Sequence, residues 1–362
     1  MTRAEVGVSD VLVGRRLDGW LTGWIAVALW MATALGNRVG HPFPSLGIPW
    51  YWPAMVVSAA HFGMSYRLAY AAPTGGVRPR RPAALTIAPM LLAGVLVALI
   101  AVTINRGPGG TRGVTAALIT TVYLLTTWHY IKQVYGIARL AARYRGVTLQ
   151  PVEAGILRYG LYPLWFIGAA KVFTTGSVSR FGEYRLGLDL APRWTLNAAR
   201  FVAVICAIAI AVVIVRATRR CATRPSSLMI APYAAGFLWI AFPTDYFAAT
   251  FALGGLHGLQ YLACCYRAES ARTGRALSLF RWTEMLAAAA CGGLIMTAWL
   301  PGLLSRTFGG PSVPSLFAAA FFVFLNLHHY LIDAVIWRSS GDIVRAMTRR
   351  PSPRPQPEPV LV

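Results

Sequence analysis

The sequence predicts an all-α fold, a polytopic transmembrane helix bundle of about ten spans, and three observations predict it. Of 362 residues, 56% are apolar and only 13% are charged, about half the charged share of a water-soluble domain. The apolar residues gather in runs long enough to span a bilayer, whose ~30 Å core takes about 20 residues of helix. The 34 Lys and Arg residues sit in short clusters between those runs. The net charge of +22 therefore marks the margins of a membrane protein, and no nucleic-acid partner is expected.

Bounded by Arg, Pro or Gly clusters, the runs cover residues 20–36, 49–70, 83–104, 114–138, 154–176, 196–216, 227–243, 246–266, 282–304 and 314–337. The first follows Arg15 and Arg16 and ends in Ala-Thr-Ala-Leu-Gly, so it reads equally as a secretory signal or as a retained helix. With ten spans, the N-terminus, the loops after even-numbered runs and the C-terminus hold 23 cations, counting Arg67 and Arg216 at the run ends, and the other loops hold 7. The positive-inside rule then makes both termini cytoplasmic. The Arg- and Ala-rich composition points to a bacterial inner membrane. Residues 1–349 read as one transmembrane domain, and the Pro-rich stretch 350–362 as a disordered cytoplasmic tail. Five cysteines without CxxC spacing give neither a disulfide framework nor a zinc ribbon.

Chemistry therefore has to sit in or at the membrane. Of six histidines, five fall inside runs: His61, His129, His257, His328 and His329. His41, in a Gly-His-Pro loop, reads as a loop residue. Intramembrane ionisable groups are costly and face the bundle interior, which makes each of the five a functional candidate. His129, His257 and His328 each precede an Arg (Arg139, Arg267, Arg338) by ten residues, which places the rings ~15 Å from the same border. His61 precedes Arg67 by six residues and Tyr70 by nine, a similar depth. The four runs all cross in the same direction, so the histidines share one layer near the midplane. A metal centre explains a shared layer, because imidazole nitrogens must converge to ~2.0–2.2 Å of one ion. A proton or ion pathway and unrelated packing are the other readings, and sequence leaves open whether His328 or His329 is the ligand.

Polar residues follow at helical spacing: Ser65 after His61, Gln133 after His129, Gln260 and Tyr261 after His257, and Asp333 after His328 and His329. Residues three and four apart share a helix face, and a ligating His commonly bonds its second nitrogen to such a partner. Gln133, Gln260, Tyr261 and Asp333 are the candidate cofactor-binding residues. Asp333 is the carboxylate within the layer, and costly there if unpaired. Among the in-run cations, Arg158, Lys171 and Arg200 lie near run ends and can snorkel. Lys132 lies three residues after His129 and is expected to turn away toward the cytoplasmic margin; the other reading is binding of an anionic substrate group. No residue carries a catalytic assignment.

Four segments carry a resemblance: Ser58-Ala-Ala-His61-Phe-Gly-Met-Ser65, Trp128-His129-Tyr130, Leu256-His257-Gly-Leu-Gln260-Tyr261, and Leu327-His328-His329-Tyr-Leu-Ile-Asp333-Ala-Val-Ile-Trp-Arg338. In order and rough separation they resemble the bacterial Brp/Blh-type β-carotene-cleaving dioxygenases. Tyr261 stands where that family has a second His, and Ser65 where it has an acidic residue. The resemblance implies an integral membrane scaffold with non-haem iron held by histidines from several spans.

The leading expectation is an oxidoreductase: a dioxygenase-like enzyme with Fe(II) in a lipid-accessible pocket, O₂ as co-substrate and a hydrophobic small molecule, a carotenoid or other lipid-like compound, as partner. Three or four neutral imidazoles leave open positions at Fe(II) for such chemistry. Aromatic residues near the layer (Tyr66, Trp128, Tyr130, Tyr135, Tyr261, Phe324, Tyr330) suit an apolar pocket. Copper and haem are alternative cofactors. The alternative function is a transporter or a proton- or electron-transfer protein built on the same cluster.

Overall fold

The computed structural model describes residues 11–40, 47–71, 83–105, 107–173, 180–181, 184–185, 191–243, 246–274, 276–308, 314–338 and 341–348. His41 and the Pro-rich stretch 350–362 lie outside them. Helices follow one another as α1 (Leu17–Arg38), α2 (Gly47–Tyr70), α3 (Ala84–Ile104), α4 (Gly107–Tyr144), α5 (Pro151–Tyr159), α6 (Tyr162–Phe173), α7 (Trp194–Arg220), α8 (Ser227–Ala241), α9 (Tyr246–Thr273), α10 (Leu279–Phe308), α11 (Pro314–Ile336) and α12 (Asp342–Thr348). A two-residue antiparallel pair, Arg180–Phe181 with Tyr184–Arg185, separates α6 from α7.

Among the described residues, six helical stretches are long and apolar enough to cross a bilayer: Leu17–Arg38, Ala84–Ile104, Gly113–Tyr144, Trp194–Arg220, Leu279–Phe308 and Leu316–Ile336. The protein is an all-helical, multi-pass membrane protein. Half of the α11 stretch is buried in the bundle (50%), against 17% for α3 and α10, so α11 is central and α3 and α10 are peripheral.

Of the ten expected runs, 49–70, 154–176, 227–243 and 246–266 are not among these six stretches; the first and last are single helices, α2 and α9, and the other two depart from a single straight span. The run 154–176 is broken into α5 and α6 at Gly160 and Leu161, where Leu161 N–H bonds Arg158 O and Leu164 N–H bonds Leu161 O in tight turns. Pro163 lacks the N–H that would continue the helix ladder to Tyr159, which ends α5 there. The run 227–243 yields α8, whose 15 residues reach only ~22 Å. Its terminal carbonyls are taken by side chains: Lys171 Nζ donates to Ile240 O at 2.7 Å, Arg200 Nε to Ala241 O at 3.0 Å, and Trp30 Nε1 to Phe242 O at 2.7 Å. Lys171 and Arg200, expected to snorkel, instead cap a helix C-terminus, where cations are stabilising.

Small residues set the closest helix crossings. α2 packs on α9 and α10. A Cβ on Gly63 would lie 2.3 Å from Ala289 O, and one on Gly293 would lie 2.2 Å from Ala59 O. The two helices thus meet through reciprocal small-xxx-small pairs, Ala59/Gly63 and Ala289/Gly293, the spacing that lets helices approach closely in a membrane. α1 is joined to the bundle in the same way, since a Cβ on Gly23 would lie 2.1 Å from Ala231 O. Its π-turn at Trp20–Trp24 holds Thr22, whose carbonyl accepts from Gln260 Nε2 at 2.6 Å, and Ala26 O accepts from Trp239 Nε1 at 2.7 Å. Losing α1 would strip a buried partner from Gln260. α11 packs on α2, α3, α4 and α10, and α9 packs on α2, so the four His-bearing helices meet around α2 and α11.

Candidate metal centre

His61 comes from α2, His129 from α4, His257 from α9 and His329 from α11, and all four are buried. Their rings form a closed cycle of near-perpendicular neighbours. The centroid separations are 4.3 Å for His61–His329, 4.8 Å for His329–His129, 4.8 Å for His129–His257 and 4.9 Å for His257–His61, with interplanar angles of 72° to 84°. Nε2 atoms meet along three sides: His61 to His329 at 2.9 Å, His329 to His129 at 3.1 Å and His129 to His257 at 3.1 Å. Ligand atoms of the four all lie within 4.8 Å of one another, a set able to hold a metal ion.

Hydrogen bonding alone does not account for this packing. An imidazole nitrogen carries either one N–H or one in-plane lone pair, yet His329 Nε2 and His129 Nε2 each face two other Nε2 atoms at hydrogen-bond distance. The opposite ring atoms, His257 Nδ1 and His329 Nδ1, are buried without a hydrogen-bond partner among the described residues. A single cation inside the cycle would take the Nε2 lone pairs and leave Nδ1 of each ring as the N–H. The 2.9–3.1 Å sides bring the nitrogens close enough that one ion could be held by His61, His129, His257 and His329 together.

Asp333 also faces the cycle. Its Oδ2 lies 3.5 Å from Nε2 of both His129 and His329, while Oδ1 accepts from the Tyr261 hydroxyl at 2.8 Å. Tyr261 itself packs edge-on against His61, centroids 4.5 Å apart. Gln133 and Gln260 do not reach ring nitrogens. Gln133 Nε2 donates to His257 O and to Gln260 Oε1, both at 3.0 Å, so this pair fixes the α4–α9 crossing beneath the rings. Ser65, expected beside His61, donates to Phe62 O at 2.7 Å and is taken up by its own helix.

His328 stands apart. Its Nδ1 is 2.8 Å from Tyr66 Oη and its Nε2 2.7 Å from Tyr70 Oη, so of the neighbouring pair it is His329 whose ring lies in the cycle. Consecutive helix residues diverge by ~100°, and only one of the two can face the cycle. Lys132 turns outward, its Nζ 4.9 Å from the Trp128 ring centroid, as expected of a cation beside a cluster of electron-pair donors for a metal ion.

Of the expected aromatic residues, Tyr130 lies against His257 and Tyr330 against His129, each with centroids 4.4 Å apart. Tyr330 Oη is 2.9 Å from Thr126 Oγ1. Trp128 packs on Tyr162 and Trp165, and Tyr135 holds Arg139 at 3.0 Å, both away from the rings. Sequence reasoning missed Tyr70 and Thr22. The signal for Tyr70 was present, since Tyr66 and Tyr70 are four apart on one face of α2.

No known family, curated protein or solved structure matches this chain.

Proposed function

We propose that this protein is a bacterial inner-membrane metalloenzyme, a non-haem iron oxygenase acting on a hydrophobic, membrane-partitioned substrate. In this reading ten helical passages place both termini in the cytoplasm. His61, His129, His257 and His329 hold the iron. The observation that carries the reading is the cycle of four Nε2 atoms, three sides of which measure 2.9–3.1 Å, on four separate helices. The Brp/Blh-like motifs supply the choice of iron and of an oxidative reaction.

Bound Fe(II) supplies a centre for O₂ activation with open coordination positions. The chain's own residues supply the rest. The four imidazoles orient one another through perpendicular contacts, and their burial keeps bulk water from the centre. Asp333 turns Oδ2 toward the cycle, and the Tyr261 hydroxyl on Oδ1 fixes which oxygen faces it. Tyr130 and Tyr330 form flat apolar walls against His257 and His129. A substrate dissolved in the bilayer reaches this layer sideways between helices, whereas a polar metabolite would have to cross ~15 Å of apolar protein.

Metal analysis of detergent-purified protein tests the reading. About one iron per chain, no Soret band, and loss of the iron in His257→Ala are expected. A wild-type protein without metal would sink it, and a Soret band would replace it with haem. Expression in a β-carotene-accumulating bacterium then addresses substrate: bleaching with retinal formation identifies a carotenoid, and unchanged pigment removes carotene while leaving the iron centre in place.

A further inference from the structure

His328 is buried at the same level as His329, yet both of its ring nitrogens are already spent. Tyr70 donates its single hydroxyl proton to Leu85 O at 2.5 Å, so it has none to give His328. At 2.7 Å from Tyr70 Oη, His328 Nε2 must therefore be the donor. That fixes the tautomer: Nε2 carries the proton and Nδ1 the lone pair, which accepts from the Tyr66 hydroxyl at 2.8 Å. The result is a chain running in one direction, Tyr66 O–H to Nδ1, Nε2–H to Tyr70, and Tyr70 O–H to Leu85. It ties three helices together, α2 through both tyrosines, α11 through His328 and α3 through the Leu85 carbonyl. The Phe324 ring, 5.4 Å from His328 by centroid, covers it from its own helix.

The two helices joined at His328, α2 and α11, are the pair that makes the closest ring contact of the cycle. His61 lies on α2, five residues before Tyr66, and His329 lies on α11, next to His328. An imidazole tip stands several ångströms beyond the ~2.3 Å Cα radius, so turning a helix by ~10° moves it by ~1 Å. That is about half of a metal–nitrogen bond length.

We infer that His328 is a positioning residue: the Tyr66–His328–Tyr70 clamp sets the rotation of α11 against α2, and thereby presents His329 Nε2 to His61 Nε2. The inference rests on the metal-centre reading given above. It assigns His328 no ligand role. The tautomer is what makes the clamp specific, because only a side chain with one acceptor and one donor at these two places closes the chain.

Co²⁺ titration of metal-stripped, detergent-purified protein tests it, with bound Co²⁺ per chain and the visible d–d bands as readouts. His329→Ala is expected to lose Co²⁺ altogether. His328→Leu is expected to keep one site per chain with affinity weakened ~10–100-fold and with shifted bands. His328→Gln, which offers an acceptor and a donor, is expected to return the bands toward those of the wild type. Tyr70→Phe keeps the ring and its packing and removes only the hydroxyl, so it is expected to show the band shift even if His328→Leu fails to fold. Wild-type affinity and bands in both Tyr70→Phe and His328→Leu would overturn the inference while leaving the centre standing. Complete loss of Co²⁺ in His328→Leu beside a normally folded chain would also overturn it, by making His328 a ligand. A wild-type protein that takes up no Co²⁺ would overturn the centre and the inference together.

Discussion

Tyr261 donates its hydroxyl to Asp333 Oδ1 at 2.8 Å, which leaves Oδ2 facing His129 and His329, 3.5 Å from Nε2 of each. The tyrosine thus aims a carboxylate that would otherwise rotate freely. Asp333→Asn keeps the shape and removes the charge, and is expected to weaken metal binding by ~10–100-fold. Tyr261→Phe, which frees the carboxylate without discharging it, is expected to cost less. Competition with a chelator of known affinity measures both. Equal affinity for Asp333→Asn and wild type would exclude any electrostatic part for Asp333.

The four cycle histidines are expected to respond as a unit. His61→Ala, His129→Ala, His257→Ala and His329→Ala should each lower bound metal more than tenfold, because each removes one of four converging nitrogens. Lys132→Ala should leave metal content unchanged, since Lys132 Nζ rests over Trp128. Metal analysis of the purified variants decides, and a Lys132 variant that gains or loses metal would contradict the outward placement.

Much of this arrangement was legible before any coordinates. Equal spacing of His129, His257 and His328 from a following Arg located the layer, since helix rise converts residue count into depth. The neighbouring pair His328 and His329 was not resolvable, because depth differs by one rise while direction differs by ~100°. The direction is set by tyrosines on α2, more than 250 residues away in sequence. Spacing set Gln133 and Gln260 on the helix faces of His129 and His257, and their partners are carbonyls. Which acceptor an amide finds depends on the helix opposite, and the π-turn that holds the Thr22 carbonyl leaves no periodic mark. The break at Gly160 was marked by Pro163, but the apolar residues on either side concealed it.

The α2–α10 crossing makes a packing prediction. Gly63→Val should destabilise the protein by ~1–3 kcal/mol through overpacking, because its Cβ would meet Ala289 O at 2.3 Å. Gly94→Val on peripheral α3 should change stability by less than ~0.5 kcal/mol, since nothing lies within 4 Å of that Cβ. Thermal unfolding in detergent compares the two. Equal losses would remove close approach as the cause.

At the loop between α4 and α5, Arg220 grips Glu153 with both guanidinium nitrogens, at 2.5 and 2.8 Å. Glu153 also accepts from Gln150 N–H in a capping box. Hydrogen bonding to Arg220 holds the Glu153 carboxyl down from the ordinary 4.5 to about 2. A carboxylate depressed in the folded state adds stability above about pH 4.5 and loses it as pH falls through about 2. The melting-temperature gap between wild type and Glu153→Gln should therefore be open at pH 7 and close by pH 2. A gap that persists at pH 2 would assign the difference to something other than this ionisation.

The contact between His61 and His329 spans 268 residues of chain, and that has a consequence for biosynthesis. At ~5–20 residues per second of translation, α2 is made roughly 15–50 s before α11. During that interval His61 has been made while its nearest nitrogen partner does not yet exist. The helices already made must shelter its imidazole until then. The four nitrogens of the proposed metal centre come together only after α11 has been made. A nonsense truncation ahead of α11 would leave three of the four cycle histidines, without the His329 nitrogen that touches two of them.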